Sequence, residues 1–360
     1  MDDEAFDTWL AKVSRLTAAQ RRQGFRALAL AEACLNEPAL LGVAAEPGAL
    51  PSLMTAVAAS GEPDAPSPSV STHVPASVSE AARQRVAGAG CPHCASQNLQ
   101  RWGHVSGLPR YRCKDCRRSF NALTGTPLAR LRKKDRWAHQ VQALMTGESV
   151  AKAAKRCNVA ISTAFRWRHR FLAAPAIDKP AQLIGIVEAD ETYIRESFKG
   201  KRADLPRPAR KRGGKAKKHG LSAEQIAVLV ARDRSGRTTD AVLAKHDRAS
   251  VTAALTGVVT EANQLCCDGG KPIVGFARRA KIPCCILPKP GGPMPDAPNL
   301  HINNVNGYHG RLKEWLRPFH GVATAYLDHY LGWRRAIEAL GHTATCQQWL
   351  GAAIRIRVCQ

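Results

Sequence analysis

Between residues 27 and 82 the chain contains no lysine and no arginine, and proline, alanine, serine and glycine dominate. A segment of that composition cannot bury enough apolar surface to fold, so we predict a flexible linker over residues 36–88. Residues 1–35 differ, because Phe6, Leu10 and Val13 recur at the three- and four-residue spacing of an amphipathic helix. We therefore predict an N-terminal helical segment of unassigned role ahead of the linker.

Long apolar runs are also missing. No stretch of about 18 uncharged apolar residues occurs, so we expect no transmembrane helix and no membrane partner. The first ten residues, MDDEAFDTWL, do not have the basic-then-apolar order of a signal peptide. We therefore expect a cytoplasmic protein whose twelve cysteines stay reduced, so that paired cysteines favour metal binding over disulfides.

Acidic residues are scarce, because 29 Asp and Glu face 53 Lys and Arg, and the formal net charge is +24. The excess is uneven: residues 1–90 hold seven basic and ten acidic residues, whereas residues 91–360 hold 46 and 19. Such an excess repels itself unless a polyanion neutralises it, and nucleic acid is the simplest candidate. The alternative is a solvated basic surface without such a partner.

Two cysteine pairs, CPHC at 91–94 and CKDC at 113–116, are separated by eighteen residues. This spacing is typical of a zinc ribbon, which we predict over residues 89–122. Four thiolates leave no open coordination position, so the Zn²⁺ site would be structural, and His93 is a weaker competitor as ligand. The predicted zinc ligands are Cys91, Cys94, Cys113 and Cys116.

Basic residues crowd this unit, and Arg112, Arg117 and Arg118 are predicted DNA contacts, with a solvated face as the alternative. The cysteines at 266–267 and 284–285 lie side by side in apolar runs instead. Neighbouring strand residues point to opposite faces, so we expect these four to be small buried hydrophobes.

The stretch GESVAKAAKRCNVAISTAFRWRHRFLAA at 147–174 has the parts of a helix-turn-helix. Asn158 and Val159 fit the tight turn, and Ser162 is the predicted cap of a second helix near residues 161–172, which could enter a major groove. We predict a DNA-binding helix-turn-helix over residues 133–175, against the alternative of a linking helical bundle. Its predicted DNA contacts are Ser162, Thr163, Arg166 and Arg170.

From residue 183 onward short apolar runs predict strands, and carboxylates stand near the ends of two of them. IGIVEADETYI at 184–194 presents Glu188 and Asp190 on one face, because side chains alternate along a strand. QLCCDGG at 264–270 ends its strand with Asp268. Two such carboxylates and one helix-borne oxygen ligand suit a two-metal Mg²⁺ site. Ordinary strand-end carboxylates are the alternative.

A helix predicted over residues 302–316 carries Asn306, His309 and Lys313 at spacings of three and four, so these side chains share one helical face. Asn306 is the helix-borne oxygen ligand in this interpretation. For Lys313 the alternative is a solvated helix lysine.

The motifs VEADET, CCDG and HINNVNGYHGRLK, behind a cysteine ribbon and a helix-turn-helix, resemble those of bacterial insertion-sequence transposases. The similar group has an N-terminal zinc ribbon and an RNase-H-like catalytic domain with an Asp, Asp, Glu-or-Asn triad. The resemblance covers about residues 88–340. It implies a multidomain α+β and α/β fold in which residues 182–345 form a mixed-sheet catalytic domain. It also implies metal-dependent cleavage at transposon ends and strand transfer, with Mg²⁺ or Mn²⁺.

Residue by residue, the resemblance implies that Asp190 and Asp268 are the first two metal ligands. Asn306 stands where many relatives have Glu, and Lys313 matches a basic residue that contacts DNA phosphate. A neutral amide supplies no negative charge, so we expect lower metal affinity, with Glu188 as a further candidate ligand. The implied partners are double-stranded DNA, at transposon ends and target, and further copies of the chain in a synaptic complex within the nucleoid.

Residues 199–220 include ten Lys or Arg and one acidic residue, and we predict a mobile arm that neutralises phosphates, or else a solvated loop. The predicted function is a DNA transposase, and the alternative is a catalytically inactive, transposase-derived DNA-binding regulator. A nuclease for RNA–DNA hybrids would need neither ribbon nor helix-turn-helix. The predicted DNA contacts of the arm are Arg210, Lys211, Arg212, Lys215, Lys217 and Lys218.

Overall fold

The computed structural model describes Val86 and residues 90–201, 203–208, 214, 216, 220–288, 292–341 and 343–354. The predicted N-terminal helical segment lies outside these residues, as does the predicted linker apart from Val86. The six predicted DNA contacts of the basic arm also lie outside them. Within the described ranges, no helix has both the length and the apolar character that crossing a bilayer demands.

A three-stranded antiparallel sheet comes first, in the order β1 (Leu99–Val105), β2 (Leu108–Cys113) and β3 (Ser119–Asn121). Two cysteine turns flank it. The residue after each cysteine pair has a positive φ, 58° at Ala95 and 59° at Arg117, so the two turns share one backbone form. β1 is one of the two edge strands, and all its residues after Leu99 are exposed.

Three helices follow, α1 (Trp137–Met145), α2 (Val150–Cys157) and α3 (Ile161–Ile177), with a short 3-10 turn at Lys134–Arg136 before them. α2 ends at Asn158, whose φ of 47° makes the predicted tight turn. The start of α3 corrects the prediction. The backbone is still extended at Ala160, which is therefore the N-cap residue, and Ser162 lies within the first turn of the helix.

The larger sheet has five strands in the order β6-β5-β4-β7-β8. β4 (Ile186–Arg195), β5 (Gln225–Asp233) and β6 (Thr238–Val242) form an antiparallel meander. β7 (Gln264–Cys267) and β8 (Cys284–Ile286) add parallel strands on the other side of β4. The architecture is therefore a mixed sheet in an α+β protein. Cys266 and Cys267 are buried as expected, while Cys284 and Cys285 are only partly buried.

Helices cover both faces of this sheet. α4 (Arg248–Leu255) and α5 (Lys271–Arg279) pack on one face, around Val187 and Leu265. α6 (Asn303–Leu316) packs on the other, where Val305 and Leu312 meet Val230. The alternation along β4 thus sends even-numbered side chains from Glu188 to Thr192 toward α6, and odd-numbered ones toward α4 and α5.

The chain closes with α7 (Leu327–Leu340) and α8 (Cys346–Ile354), after 3-10 turns at Arg317–Phe319 and Thr324–Tyr326. One apolar cluster joins these helices to the three-stranded sheet and to α1–α3, through Phe120, Phe171, Trp333 and Leu350 among others. α7 passes so close to α3 that a Cβ on Gly332 would lie 2.5 Å from the backbone of Ala176. A glycine is required at this crossing.

Candidate active site and nucleic-acid interface

The four predicted zinc ligands come together, and we call them the cysteine cluster. Their sulfur atoms all lie within 4.8 Å of one another, with Sγ–Sγ distances of 3.7 Å for Cys91–Cys116 and 3.6 Å for Cys94–Cys113. Four sulfurs at about 2.3 Å from a central Zn²⁺ in a tetrahedron lie about 3.8 Å apart. The cluster is therefore compatible with a structural zinc site. His93 is not part of it.

Within this cluster, backbone donors favour the thiolate form of Cys113. The N–H groups of Cys116 and Asp115 point at the sulfur of Cys113 and lower its pKa to about 7. The Asp115 side chain accepts hydrogen bonds from Ser96 and Asn98, at 2.5 and 3.1 Å, which ties the two cysteine turns together. The turns are thus held in place by protein contacts as well as by any bound ion.

The predicted DNA contacts of this unit are not equivalent. Arg117 and Arg118 are exposed. Arg112 is half-buried, because its guanidinium lies 4.9 Å from the ring centre of Trp102 and donates to the carbonyl of Arg117 at 3.3 Å. Trp102 itself is 44% exposed, so an aromatic ring and a cation face solvent together on this sheet. The position of Trp102 on an exposed edge strand accounts for this exposure.

On α3, Ser162 and Arg166 are exposed and Thr163 is half-exposed, in line with a helix face open to a groove. Arg170 is also exposed, but its guanidinium donates to the carbonyls of Pro127 and Ala129. This arginine therefore fixes the loop before the helices, and its predicted DNA contact stays a prediction.

The two aspartates predicted as metal ligands are brought side by side. Glu188 of β4 pairs with Cys266 of β7, and the two strands are parallel. Asp190 and Asp268 each follow two residues later, so they come level. Asp268 lies just beyond the end of β7, but Asp190 lies in the middle of β4, which continues to Arg195 beside β5, so the strand end predicted near Asp190 is wrong. Glu191, directly after Asp190, has its Oε2 3.6 Å from the position of a Cβ on Gly270, and Asp268 Oδ1 is 3.4 Å from the same point. We call Asp190, Glu191 and Asp268 the carboxylate edge.

α6 lies across this edge, and the residues of the helix differ in how far they are buried. Its buried residues are Val305, Tyr308, His309 and Leu312, whereas Asn306 and Lys313 are exposed at the border of that stripe. His309 Nδ1 is 3.7 Å from Asp190 Oδ2. The shared face predicted from spacing therefore exists, but the helix is rotated so that His309 points inward and Asn306 outward.

The electrostatics of the carboxylate edge show an excess of negative charge. Burial, together with the charges of Asp268 and Glu191, raises the pKa of Asp190 to about 7, although the Lys313 ammonium opposes the rise. Burial and the charge of Asp268 also raise the pKa of Glu191, against the influence of His246. A cation placed here would relieve this repulsion.

Two histidines flank the carboxylate edge, and the sequence predicts a role for neither. His246 Nε2 lies 3.3 Å from Glu191 Oε1 on the side of α4, and His309 lies on the side of α6. Burial, assisted by the positive charge of Lys313, lowers the pKa of His309 to about 4. His309 was visible in the motif only as a member of the helical face. His246 lies outside all three motifs, 22 residues before Asp268 and 55 residues after Glu191, so no local signal marks it.

Glu188, a candidate metal ligand in the motif analysis, has protein partners for its carboxylate. It is fully buried, and its Oε2 accepts the backbone N–H of Val305 at 2.8 Å in the first turn of α6. Its Oε1 pairs with Arg234 and lies 3.3 Å from His301 Nδ1. These contacts make Glu188 the cap that attaches α6 to β4, and its role as a metal ligand stays a prediction.

Fold and site together define the class of the protein. Residues 131–176 match a homeodomain-like helix-turn-helix domain, and residues 182–334 match the ISXO2-like transposase domain. The second range contains Asp190, Asp268, Asn306 and Lys313. These two matches support a DNA-binding transposase.

A relative narrows the assignment. Over 251 residues, 68% of this chain and 83% of the relative, the chain is 28% identical to a protein of Halobacterium salinarum described as an uncharacterized protein in transposable element ISH50. The two domain matches and this relative support an insertion-sequence transposase, so the resemblance seen in the motifs is confirmed.

Proposed function

We propose that this chain is a cut-and-join DNA transposase whose reaction takes place at the carboxylate edge. The observation that carries the proposal is the position of Asp190 and Asp268, level on neighbouring parallel strands beneath α6. The strand order β6-β5-β4-β7-β8, an antiparallel meander extended by parallel strands, supports an RNase-H-like catalytic domain.

The residues at this edge fit a divalent cation. Carboxylates are the ligands that Mg²⁺ and Mn²⁺ prefer, and here they raise one another's pKa values. His309 Nε2 is buried and has no hydrogen-bond partner among the described residues, which is costly unless something else binds it. When bound, a pair of such ions would supply an activated hydroxyl and stabilisation of the leaving 3′ oxygen.

The remaining chemistry belongs to the chain's own side chains. Asp190 and Asp268 would hold the cation that faces the reacting phosphate, and Lys313, exposed one turn beyond His309, binds a neighbouring DNA phosphate. Water is the nucleophile in the first step and the freed 3′-OH is the nucleophile in the second. Both steps use the same in-line geometry, so one site serves cleavage and strand transfer.

In this proposal, residues beside the cysteine cluster and on α3 recognise the transposon ends. Arg117 and Arg118 beside the cysteine cluster, and Ser162 and Arg166 on α3, are exposed basic or polar residues suited to a DNA duplex. In this proposal the cysteine cluster holds Zn²⁺ and two or more copies of the chain bring two ends together on the nucleoid DNA.

The test uses a plasmid that carries the element's own ends, with Mn²⁺ or Mg²⁺ supplied. Asp190→Asn and Asp268→Asn should lower strand cleavage at least about a thousandfold, because the metal stabilises the transition state by several kcal/mol. Binding to the ends, measured by gel shift, should persist. Asp296→Asn, an exposed aspartate in the loop before α6, is the matched control and should cleave normally. Undiminished cleavage by both active-site variants would refute the proposal.

One observation favours the second candidate, an inactive DNA-binding regulator. Among the described residues, only the cysteine cluster gathers three or more His, Cys, Asp or Glu ligand atoms within 4.8 Å, and Asn306 brings no charge to the carboxylate edge. If the wild-type chain binds the ends but never cuts them at any Mn²⁺ concentration, the regulator is the correct function.

A further inference from the structure

The residue of α6 that reaches the carboxylate edge is His309. Three positions earlier, Asn306 occupies the place of the family's third ligand, but its side chain is exposed at the border of the helix's buried stripe. The His309 side chain is only 9% exposed, and its Nδ1 faces Asp190 Oδ2 across 3.7 Å. The rotation of α6 is set by Val305, Tyr308 and Leu312, which are all fully buried against the sheet.

The contacts of His309 do not explain its burial. Its Nε2 has no hydrogen-bond partner within the described ranges, and the 3.7 Å from Nδ1 to Asp190 is too long for a hydrogen bond. Burying a polar group without a partner costs about 1–3 kcal/mol, so an unpaired imidazole beside a carboxylate is a poor structural choice. Two atoms that ligate one ion at about 2.1 Å lie about 3.0–3.5 Å apart. Nδ1 and Asp190 Oδ2, at 3.7 Å, are slightly farther apart than this, so a small side-chain rotation would let both atoms bind one ion through Nδ1.

We propose that His309, in place of Asn306, is the α6 ligand of a divalent cation held by Asp190 and Asp268. This inference rests on the proposed function, since it names a ligand of the same site. A set of two carboxylates and one imidazole favours Mn²⁺ over Mg²⁺, because nitrogen ligands suit transition ions and Mg²⁺ prefers oxygen. The chain should therefore have a Mn²⁺ preference that an all-oxygen site would not show.

The experiment measures Mn²⁺ bound to the full-length, zinc-loaded chain, without DNA and without turnover. Pulsed electron paramagnetic resonance detects a directly bound imidazole through its ¹⁴N modulation, and calorimetric titration gives the affinity. Wild type should show the ¹⁴N signal. His309→Ala should lose it and bind Mn²⁺ at least about tenfold more weakly, whereas Asn306→Ala should keep both.

A second variant guards against simple misfolding. His309→Asp restores a charged ligand without nitrogen, so it should bind Mn²⁺ with no ¹⁴N signal and a lower ratio of Mn²⁺ to Mg²⁺ affinity than wild type. His246→Ala is the matched control, because His246 flanks the same edge on its other side beside Glu191. It should retain the ¹⁴N signal.

The outcomes separate this inference from the proposed function. A ¹⁴N signal that survives in His309→Ala, or disappears in His246→Ala, overturns the assignment of His309. Loss of affinity in Asn306→Ala but not in His309→Ala also overturns it and leaves the proposed metal site intact. If Asp190→Asn binds Mn²⁺ as wild type does, the metal site of the proposed function itself is wrong.

Discussion

The cysteine cluster and the carboxylate edge are both groups of metal-ligand side chains, but the protein assembles them to different degrees. The four sulfurs already stand within 4.8 Å of one another, at distances that a tetrahedral ion would impose. At the carboxylate edge the buried groups repel one another, and Asp190 lies 3.7 Å from its nearest histidine nitrogen. A closed thiolate site can serve stability, whereas a strained and incomplete oxygen site is suited to reversible binding of a metal and a phosphate.

The largest effect on stability is expected when zinc is removed from the cysteine cluster. Cys113→Ser leaves three thiolates and should abolish zinc binding, at a cost on the order of 10 kcal/mol to the ribbon. The loss should spread to α1–α3 and α7, because Leu108 and Phe120 share one apolar cluster with Trp333. Metal analysis and thermal unfolding measure the change.

The matched control is Cys285→Ser, which alters a partly buried cysteine outside the cluster and should keep one zinc per chain. Specific binding to the transposon ends should vanish with the zinc. If specific binding survives in Cys113→Ser, the cysteine cluster stabilises the fold but takes no part in DNA recognition.

An intermediate effect on stability is expected at Glu188, which attaches α6 to β4 beside the carboxylate edge. Glu188→Gln keeps the shape that caps Val305 but leaves the partly buried Arg234 without its anion, so the free energy of unfolding should fall by about 3 kcal/mol. Urea denaturation measures it. Mn²⁺ affinity should fall far less than in Asp190→Asn, because the Glu188 oxygens already have protein partners.

The control for this variant is Glu196→Gln. Its ion pair with Arg207, at 2.9 Å, has both side chains about a quarter exposed, so its loss should cost about 1 kcal/mol or less. If Glu188→Gln is as stable as this control but loses Mn²⁺ binding, then Glu188 is a metal ligand and not a cap.

The smallest effect on stability is expected at the contact between α3 and α7. His169 of α3 and His329 of α7 face each other with Nδ1–Nδ1 at 3.0 Å, and Tyr326 stacks on His169. Burial lowers the pKa of His169 to about 4, with the charges of His329 and Arg168 adding to the effect. Between pH 6.5 and 4 the unfolded chain binds more protons than the folded one, so stability should fall as pH falls through that window.

Because His169 is only partly buried, we expect a loss of about 1 kcal/mol, or about 2–4 °C in Tm, between pH 7 and pH 4.5. His169→Asn should remove that part of the pH dependence. His139→Asn, which changes an exposed histidine of α1, should not. Equal slopes in all three proteins would show that this contact does not couple to pH.

Much of the site could be predicted from local sequence. The spacing of the cysteines places both pairs in similar turns. Asp190 and Asp268 each lie two residues after a residue of one parallel pair, Glu188 and Cys266, so the two aspartates come level. The tight turn at Asn158 also follows from local chemistry, since asparagine tolerates positive φ. The cap of α3 was misplaced at Ser162, because a capping residue is recognised by type, whereas the helix starts where the backbone leaves its extended form at Ala160.

Other parts had no local signal. Arg168 reads as one more basic residue of the helix-turn-helix, yet it is fully buried and donates to the carbonyl of Glu148 at 2.5 Å, 5.1 Å from the ring centre of Trp333. Glu188 reads as a companion of Asp190, yet its partners come from residues 234, 301 and 305. Contacts between residues so distant in the chain depend on how the elements pack.

By itself the sequence predicted the chemistry of both groups: thiolates at the spacing of a zinc site, carboxylates within or just after apolar runs, and basic residues suited to DNA. These features depend on residue type and short-range periodicity, which the chain carries wherever it folds. Only the tertiary structure decided which residue of α6 faces Asp190. Spacing shows that Asn306, His309 and Lys313 share a face, but the rotation of that face is set by Val305, Tyr308 and Leu312 packing on the sheet, and by the Glu188 carboxylate that holds the first turn.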